Sequence, residues 1–273
     1  MYVLKKYEWG SVFEMMKYHE KGLPFVEWGI KGHNRPWVIA NGNFKKGEKV
    51  IEVGGAYSAL PQYLSDKFNI EAWVMDDFGI ESKEDLWSRW GNREELKSKY
   101  PSVKYVFERA GEGGNNVPLD YFDCVYTVST LEHIPWNDMK KVFDHMCKIL
   151  KPGGRMLHCV DLSIPLGIHK TSDAKGILLG TVGYSLYHKI KESIQSVKKP
   201  YLRTINGWWR FLTKYFGYDL RITCKKPPGY IKSTLDADIV KETADIVYNY
   251  YPPNGRAKAY KPSGTFVFIL EKQ

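Results

Sequence analysis

The segment from Val50 to Ser58 constrains the fold more than any other part of the chain. Apolar and β-branched residues surround Glu52, small residues follow from Gly54, and helical apolar spacing begins at Leu60. This order predicts a buried strand, a tight turn and a helix. Small residues let the backbone of such a turn approach a ligand closely, and the free N–H groups of the helix face the same place. Glu52, at the end of the strand, can accept hydrogen bonds from a ribose diol or an ammonium group.

Strand and helix patterns alternate between residues 49 and 161. Short apolar runs predict five strands, over residues 49–53, 71–75, 103–107, 122–128 and 155–161. Helical spacing predicts helices over residues 61–68, 82–99 and 137–150. The alternation predicts an α/β fold with a parallel sheet that helices cover on both faces. Two further β-rich runs, 218–224 and 265–270, fit a closing antiparallel pair.

These patterns divide the chain into four segments. Residues 1–45 are predicted to form a helical cap, because residues 7–19 have helical apolar spacing. Residues 46–161 form the predicted α/β core, and residues 162–217, where the alternation stops, form a predicted lid. Residues 218–273 supply the predicted closing strands.

Composition narrows the class of protein. A hydrophobic content of 43% and a charged content of 26% over 273 residues are typical of a soluble globular protein. The sequence contains no run of 18 apolar residues, so no transmembrane helix is predicted. The first residues do not resemble a signal peptide. The four cysteines show no C-x-x-C spacing, so we expect reduced thiols, a cytoplasmic location and no structural zinc.

The positive charge of the chain is concentrated in one segment. Residues 170–230 contain twelve Lys or Arg and three acidic residues, an excess equal to the net charge of +9 of the whole chain. Such a segment can attract a phosphate-bearing substrate, RNA or an anionic membrane surface. It can equally be a solvated basic face.

Polar residues gather where the predicted strands end. They are Glu52, the pair Asp76 and Asp77, the 110–116 loop, the 129–133 turn and Asp161. Parallel sheets of this kind bind ligands at the carboxyl ends of their strands, near the point where the strand order reverses. This edge of the sheet is therefore the predicted functional site.

The order of these motifs resembles the class I S-adenosylmethionine-dependent methyltransferases, in particular those that act on small molecules. The resemblance rests on four pieces: residues 52–58, Asp76-Asp77, residues 122–126 running into Leu131-Glu132-His133-Ile134, and residues 150–154. It covers residues 48–161 and, more faintly, the terminal strand pair. It implies a Rossmann-like, doubly wound, mostly parallel seven-stranded sheet with an antiparallel final strand, plus a helical cap and lid. A dinucleotide dehydrogenase fits less well, because G-x-G-x-x-G is absent.

The resemblance also implies a binding site for the methyl donor, S-adenosylmethionine. Glu52 would lie at the methionine end of the donor, and the backbone of Gly54, Gly55, Ala56 and Ser58 would wrap that moiety. Asp76 or Asp77 would take the ribose hydroxyls, Glu112 would face the adenine amine, and Thr130 and Leu131 would pack near the donor. The family usually has glycines where this chain has Ala56 and Ser58, which leaves open a pocket that binds the donor without catalysis.

Two residues are candidates for the catalytic base. An activated methyl donor mainly requires an aligned acceptor, and an oxygen acceptor also benefits from a general base. His133, just after the fourth predicted strand, is the first choice, although it can instead order the turn. Asp161 ends the fifth strand facing the pocket, whereas alternation puts His158 on the other face, as a core residue. His133, Asp161 and His169 lack the tight spacing of a divalent-metal site, so no metal is expected.

The function predicted from the sequence is O-methylation of a sugar or another small hydroxylated acceptor. The basic segment makes a phosphorylated or lipid-linked acceptor possible. It also motivates one alternative, an RNA methyltransferase, although the chain contains no recognisable RNA-binding module. A non-catalytic protein that binds S-adenosylmethionine is the other alternative.

Overall fold

The computed structural model describes residues 2–10, 12–25, 31–78, 92–112, 116–163, 211–212, 214–215 and 263–273. The described strands are β1 (Tyr2–Trp9), β2 (Lys49–Val53), β3 (Glu71–Met75), β4 (Val103–Val106), β5 (Phe122–Val128), β6 (Leu150–Ser163) and β7 (Ser263–Lys272). The described α-helices are α1 (Val12–Glu20), α2 (Lys31–Asn41), α3 (Leu60–Phe68), α4 (Arg93–Lys99) and α5 (Trp136–Ile149), and a 3₁₀ turn spans Leu131–His133.

The strands form one seven-stranded sheet in the order β1-β7-β6-β5-β2-β3-β4. Strands β6, β5, β2, β3 and β4 pair in parallel, whereas β7 pairs antiparallel with both β6 and β1. Six strands therefore run in one direction and β7 runs in the other. The predicted seven-stranded, doubly wound sheet with an antiparallel final strand is confirmed.

The prediction of a purely helical N-terminal segment is wrong for its first residues, because Tyr2–Trp9 forms the edge strand β1. A register shift between Leu4 and Lys6 marks a β-bulge. Tyr2, Leu4 and Tyr7 all pack against the core, so the bulge changes the spacing of inward residues from two to three. The bulge thus removes the strict alternation that would have indicated a strand in the sequence. The predicted strand over 218–224 lies outside the described residues.

The helices agree with the predicted ones where both can be compared. Helix α3 begins one residue earlier than predicted, and α5 covers 136–149 rather than 137–150. Of the helix predicted over 82–99, residues 92–99 are described. There Asn92 and Glu95 form a reciprocal capping box at the start of α4.

Two hydrophobic clusters, one on each face of the sheet, form the core. The cluster under α5 contains Ile51, Val125, Phe143 and Met146. The cluster under α2 and α3 contains Val50, Cys124, Trp37 and Leu64. Successive residues of β2 and of β5 belong alternately to the two clusters, so the sheet is covered on both faces.

A proline inside α2 leaves one backbone carbonyl of this helix free to bind a side chain of α1. Pro36 has no N–H group, so the carbonyl of Gly32, four residues earlier, cannot receive the usual helical hydrogen bond. His19, in the last turn of α1, donates from Nε2 to this carbonyl over 3.2 Å. The contact fixes α1 against the first turn of α2, which faces the functional edge of the sheet.

Among the described helices, none is both long and apolar enough to cross a membrane. The cysteines within the described ranges, Cys124, Cys147 and Cys159, are free thiols.

Candidate active site

The turn after β2 has the backbone geometry that its small residues allow. Gly54 has φ +75°, and a Cβ there would lie 2.0 Å from Cγ2 of Thr130. The Thr130 hydroxyl lies 3.1 Å from the carbonyl oxygens of both Gly54 and Val128, and its one proton is shared between them, which holds the side chain against the turn. Only glycine fits at position 54, for reasons of both conformation and space.

Glu52 is a buried carboxyl group at the centre of this turn, with 1% of its surface exposed. The hydroxyl of Tyr126 donates to its Oε2 over 3.2 Å, and the Ser58 hydroxyl also binds it. Burial raises the pKa of Glu52 to about 7, against the lowering effects of the Arg35 charge and these two hydrogen bonds. Glu52 is therefore a carboxyl group that can take up or release a proton near neutrality.

Ser58 and Gly55 complete the surroundings of Glu52. Oγ of Ser58 accepts the backbone N–H of Leu60 over 3.3 Å while its hydroxyl proton faces Glu52. A Cβ on Gly55 would lie 3.0 Å from Cγ and Cδ of Glu52. Ser58, a departure from the family pattern, thus links the carboxylate to the start of α3.

Asp76, which follows the neighbouring strand β3, binds the backbone of the turn after β2. Its Oδ2 accepts the backbone N–H of Ala56 over 2.9 Å, and its Oδ1 accepts that of Phe78 over 2.6 Å. Burial raises the pKa of Asp76 to about 6 in spite of these two hydrogen bonds. Asp77 follows, half-buried, at the same strand end. The structure thus binds Asp76 to the backbone of the turn after β2, and Asp77 lies next to it at the end of β3.

The turn after β5 contains three of the predicted site residues. Thr130 contacts Gly54, and Leu131 is fully buried in the cluster under α5. His133 has 76% of its side chain exposed, and its Nε2 lies 3.8 Å from Oε1 of the buried Glu132. His133 therefore lies at the correct edge of the sheet, on its outer surface.

Asp161 lies on the α2 side of the sheet, at the end of β6. The side-chain amide of Asn34 donates to its Oδ1 over 2.8 Å and lies 3.3 Å from Oγ of Ser129. His158 packs against Phe143 and Phe268 on the other face, and burial lowers its pKa to about 3. Asp161 and His158 thus lie on opposite faces of the sheet, as the alternation along β6 predicts, and the role of Asp161 in a site stays a prediction.

Glu112 lies apart from these groups. It is exposed and pairs with Arg109 over 3.4 Å, at the near end of the glycine-rich loop. Its predicted contact with adenine stays a prediction.

Sequence reasoning missed Asn34, Arg35 and Tyr126. Tyr126 could have been found, because it is the register partner of Glu52 on the adjacent strand β5. Asn34 and Arg35 belong to a helix that precedes the first core strand, and no local pattern connects them with the site. Among the described residues no group of His, Cys, Asp and Glu could hold a metal ion, and His169 lies outside them.

The strand order, the reversed β7 and the glycine turn facing two carboxylates define a Rossmann-like protein of the methyltransferase type. A family model described as a methyltransferase domain matches residues 33–219, about two thirds of the chain. The chain therefore belongs to this methyltransferase family. The match confirms the predicted family and enzyme class, with S-adenosylmethionine as the methyl donor of the class.

Relatives of known function are distant and longer than the aligned region. The chain is 24% identical over 143 residues to phosphoethanolamine N-methyltransferase 2 of Caenorhabditis elegans, covering 50% of this chain and 29% of that protein. It is 28% identical over 132 residues to the ubiquinone/menaquinone biosynthesis C-methyltransferase of Francisella philomiragia, covering 46% and 49%. The matches thus span less than half the length of either relative.

A structural comparison matches the chain to a solved methyltransferase-like protein from Bacillus halodurans. The TM-score is 0.48 with 14% sequence identity, over 87% of this chain and 97% of that chain.

Proposed function

We propose that this protein transfers the methyl group of S-adenosylmethionine to a small acceptor bound beside Asp161. The observation that carries the proposal is the convergence of Glu52, the Gly54 turn and Asp76 at one strand end, two strands away from Asp161 in the same sheet. Such an edge is where open α/β sheets bind their ligands.

Each residue of the turn has a role in donor binding under this proposal. Glu52 accepts the ammonium of the methionine moiety, and the backbone from Gly54 to Ser58 lies along it. Asp77 and Asp76 take the ribose hydroxyls, as carboxylates at this strand end can. Thr130 and Leu131 form the floor of the site, and Glu112 faces the adenine.

We place the acceptor on the α2 side of the sheet, next to Asp161, and retain O-methylation of a sugar or similar hydroxylated acceptor as the first candidate reaction. A hydroxyl group loses its proton during transfer, and a carboxylate or imidazole near it can accept that proton. Asp161 is the better placed base, because Asn34 orients it, whereas His133 lies largely exposed.

An amine acceptor is the second candidate, and the charges around β6 favour it. Burial raises the pKa of the Cys159 thiol well above its ordinary value, and the charges of Asp161, Glu132, Glu14 and Glu52 raise it further. Asp161 and Glu132, the two of these residues that neither pair with His33 nor hold the ammonium of the donor in this proposal, attract a cationic amine and repel an anionic group. The similarity to a phosphoethanolamine N-methyltransferase supports the same candidate. A phosphate on the acceptor would have to lie away from these carboxylates.

A cytoplasmic location, which the sequence predicts, agrees with the free thiols of the described cysteines. The basic residues 170–230, on which an RNA substrate would depend, lie almost entirely outside the described residues.

The test uses S-adenosylmethionine with a radiolabelled methyl group and extract of the source organism. After incubation the extract is separated into glycan, small-metabolite, RNA and protein pools, and Glu52→Gln is the control variant. Label in the glycan or metabolite pool, lost with Glu52→Gln, supports the proposal, and the methylated atom of the product separates O- from N-methylation. Label in RNA contradicts the small-acceptor class. Donor binding with no label in any pool favours the non-catalytic alternative.

A further inference from the structure

A continuous chain of hydrogen bonds leads from α1 through α2 to Asp161. Glu14 of α1 receives two of them, from the hydroxyl of Tyr18 over 2.7 Å and from Nε2 of His33 over 2.8 Å. Nδ1 of His33 lies 3.2 Å from Oδ1 of Asn34, and Nδ2 of Asn34 donates to Asp161 over 2.8 Å. Four side chains from three elements are thus connected in series.

The direction of each hydrogen bond follows from the groups at the two ends. Asp161 accepts, so the amide nitrogen of Asn34 faces it and the amide oxygen faces His33. That oxygen only accepts, so Nδ1 of His33 carries a proton. At the other ring nitrogen the partner is Oε2 of Glu14, which also accepts, so both contacts are hydrogen bonds at the same time only in a ring that carries two protons. In that form the ring is a cation between the carboxylate of Glu14 and the amide oxygen of Asn34.

The packing around His33 holds the ring in place. His33 is buried, with 3% of its surface exposed, and the Tyr18 ring lies 5.9 Å from it between ring centroids. A Cβ on Gly10 would lie 2.4 Å from Cε1 of His33, so only the absence of a side chain at Gly10 leaves room for the imidazole. The hydrogen bonds from His33 and Tyr18 outweigh the effect of burial and lower the pKa of Glu14, which keeps the anionic end ionised.

We propose that Glu14, His33 and Asn34 form a positioning relay that fixes the orientation of the Asp161 carboxylate towards the acceptor. Reversing the Asn34 amide would turn its oxygen towards Asp161 and its NH₂ group towards a protonated nitrogen of His33. Both contacts would be repulsive, so Glu14 determines the orientation of Asn34 through His33. The relay rests on the proposed function only in the role it assigns to Asp161. None of its three members is a catalytic residue, because each acts through Asp161.

The first test needs no acceptor. In protein with ¹⁵N-labelled histidine at neutral pH, nuclear magnetic resonance should show protons on both ring nitrogens of His33, whose signals are identified by their loss in His33→Gln. Glu14→Gln should leave His33 with a single ring proton. One ring proton on His33 in the wild-type protein would overturn the relay, whether or not the protein is a methyltransferase.

The second test measures how Asn34 acts. Asn34→Ala is expected to lower label transfer about tenfold to a hundredfold, by analogy with residues that orient the ligands of a metal, with the donor Kd unchanged. In an Asp161→Asn background the same substitution should cause no further loss. Asn41→Ala, at the other end of α2, is the control. It removes a side-chain amide that binds Lys6 and should leave transfer unchanged.

Two results of this second test would overturn the relay. One is an equal loss of transfer from Asn34→Ala with and without Asp161. The other is a weakened donor Kd as the main effect. If the wild-type protein transfers no label at all, the proposed function fails, and the spectrum of His33 still decides whether the relay exists.

Discussion

The backbone N–H of Ala56 donates to Oδ2 of Asp76 over 2.9 Å and thereby joins the turn after β2 to the end of β3. Ala56 makes this contact with φ +40°, in the left-handed region that favours glycine. The hydrogen bond therefore holds an alanine in a conformation that costs free energy.

Replacing Ala56 by glycine should stabilise the protein. Glycine removes the conformational cost, about 1 kcal/mol for a residue in the left-handed region, and keeps the N–H that Asp76 accepts. Urea unfolding should show a higher free energy of unfolding for Ala56→Gly. As a control, the same substitution at Ala40, in the last turn of α2, should lower it, by at most about 1 kcal/mol. A less stable Ala56→Gly protein would show that the turn is not strained.

Donor binding should release a proton from Glu52. Its pKa of about 7 means that roughly half of the free protein carries a proton there at neutrality. An ammonium group binds the ionised form, so affinity for S-adenosylmethionine should fall as the pH drops below 7, approaching about tenfold per pH unit. Isothermal titration calorimetry near pH 6, in two buffers of different ionisation enthalpy, measures the released protons.

Glu52→Gln is the control for this linkage, because glutamine keeps the size of the side chain and cannot titrate. Donor binding by this variant should release far fewer protons than donor binding by the wild-type protein. The remaining release comes from Asp76, whose pKa is about 6. An affinity that is independent of pH in the wild-type protein would contradict the assigned contact.

His158 should make the fold sensitive to acid. Burial lowers its pKa in the folded protein to about 3 from an ordinary 6.5, so the unfolded chain binds a proton first. The stability that the neutral ring provides is complete above pH 6.5. It is lost as the pH falls from about 6.5 towards 3, by roughly 1.4 kcal/mol per pH unit.

The raised pKa values of Glu52 and Asp76 act in the opposite direction, so the comparison must isolate His158. Urea unfolding of wild-type and His158→Gln protein at several pH values between about 7.5 and 5 provides it. The advantage of the wild-type protein should shrink as the pH falls. If the difference in free energy of unfolding between the two proteins stays constant, His158 has the same pKa in the folded and the unfolded chain, and the prediction is wrong.

The parts of the fold that rest on neighbouring residues could be predicted. The β2 strand, the Gly54 turn and α3 follow from apolar spacing and small residues within one continuous segment. The opposite faces of His158 and Asp161 follow from alternation along a single strand. The same locality put Glu52 and Asp76 at one edge of the sheet, because parallel strands end together.

The parts of the fold that depend on tertiary pairing could not be predicted from the sequence. Strand β1 pairs with β7, more than 250 residues away, and its bulge removes the alternation that would have marked it. Asn34 reaches Asp161 across 127 residues of sequence. No window of neighbouring residues contains either relationship, and both become visible only when α2 is placed against the sheet.

Calorimetric titration of S-adenosylmethionine into three proteins tests the claim that the Gly54 turn binds the donor. Gly54→Ala places a Cβ 2.0 Å from Cγ2 of Thr130 at φ +75°. Gly153→Ala introduces the same backbone strain at φ +76°, with no atom within 4 Å of the new Cβ. Thermal unfolding of both variants shows that each is folded at the titration temperature. We predict that wild-type and Gly153→Ala proteins bind the donor alike and that Gly54→Ala gives no detectable binding. Equal binding by Gly54→Ala and wild-type protein, or no binding by the wild-type protein, would contradict the claim.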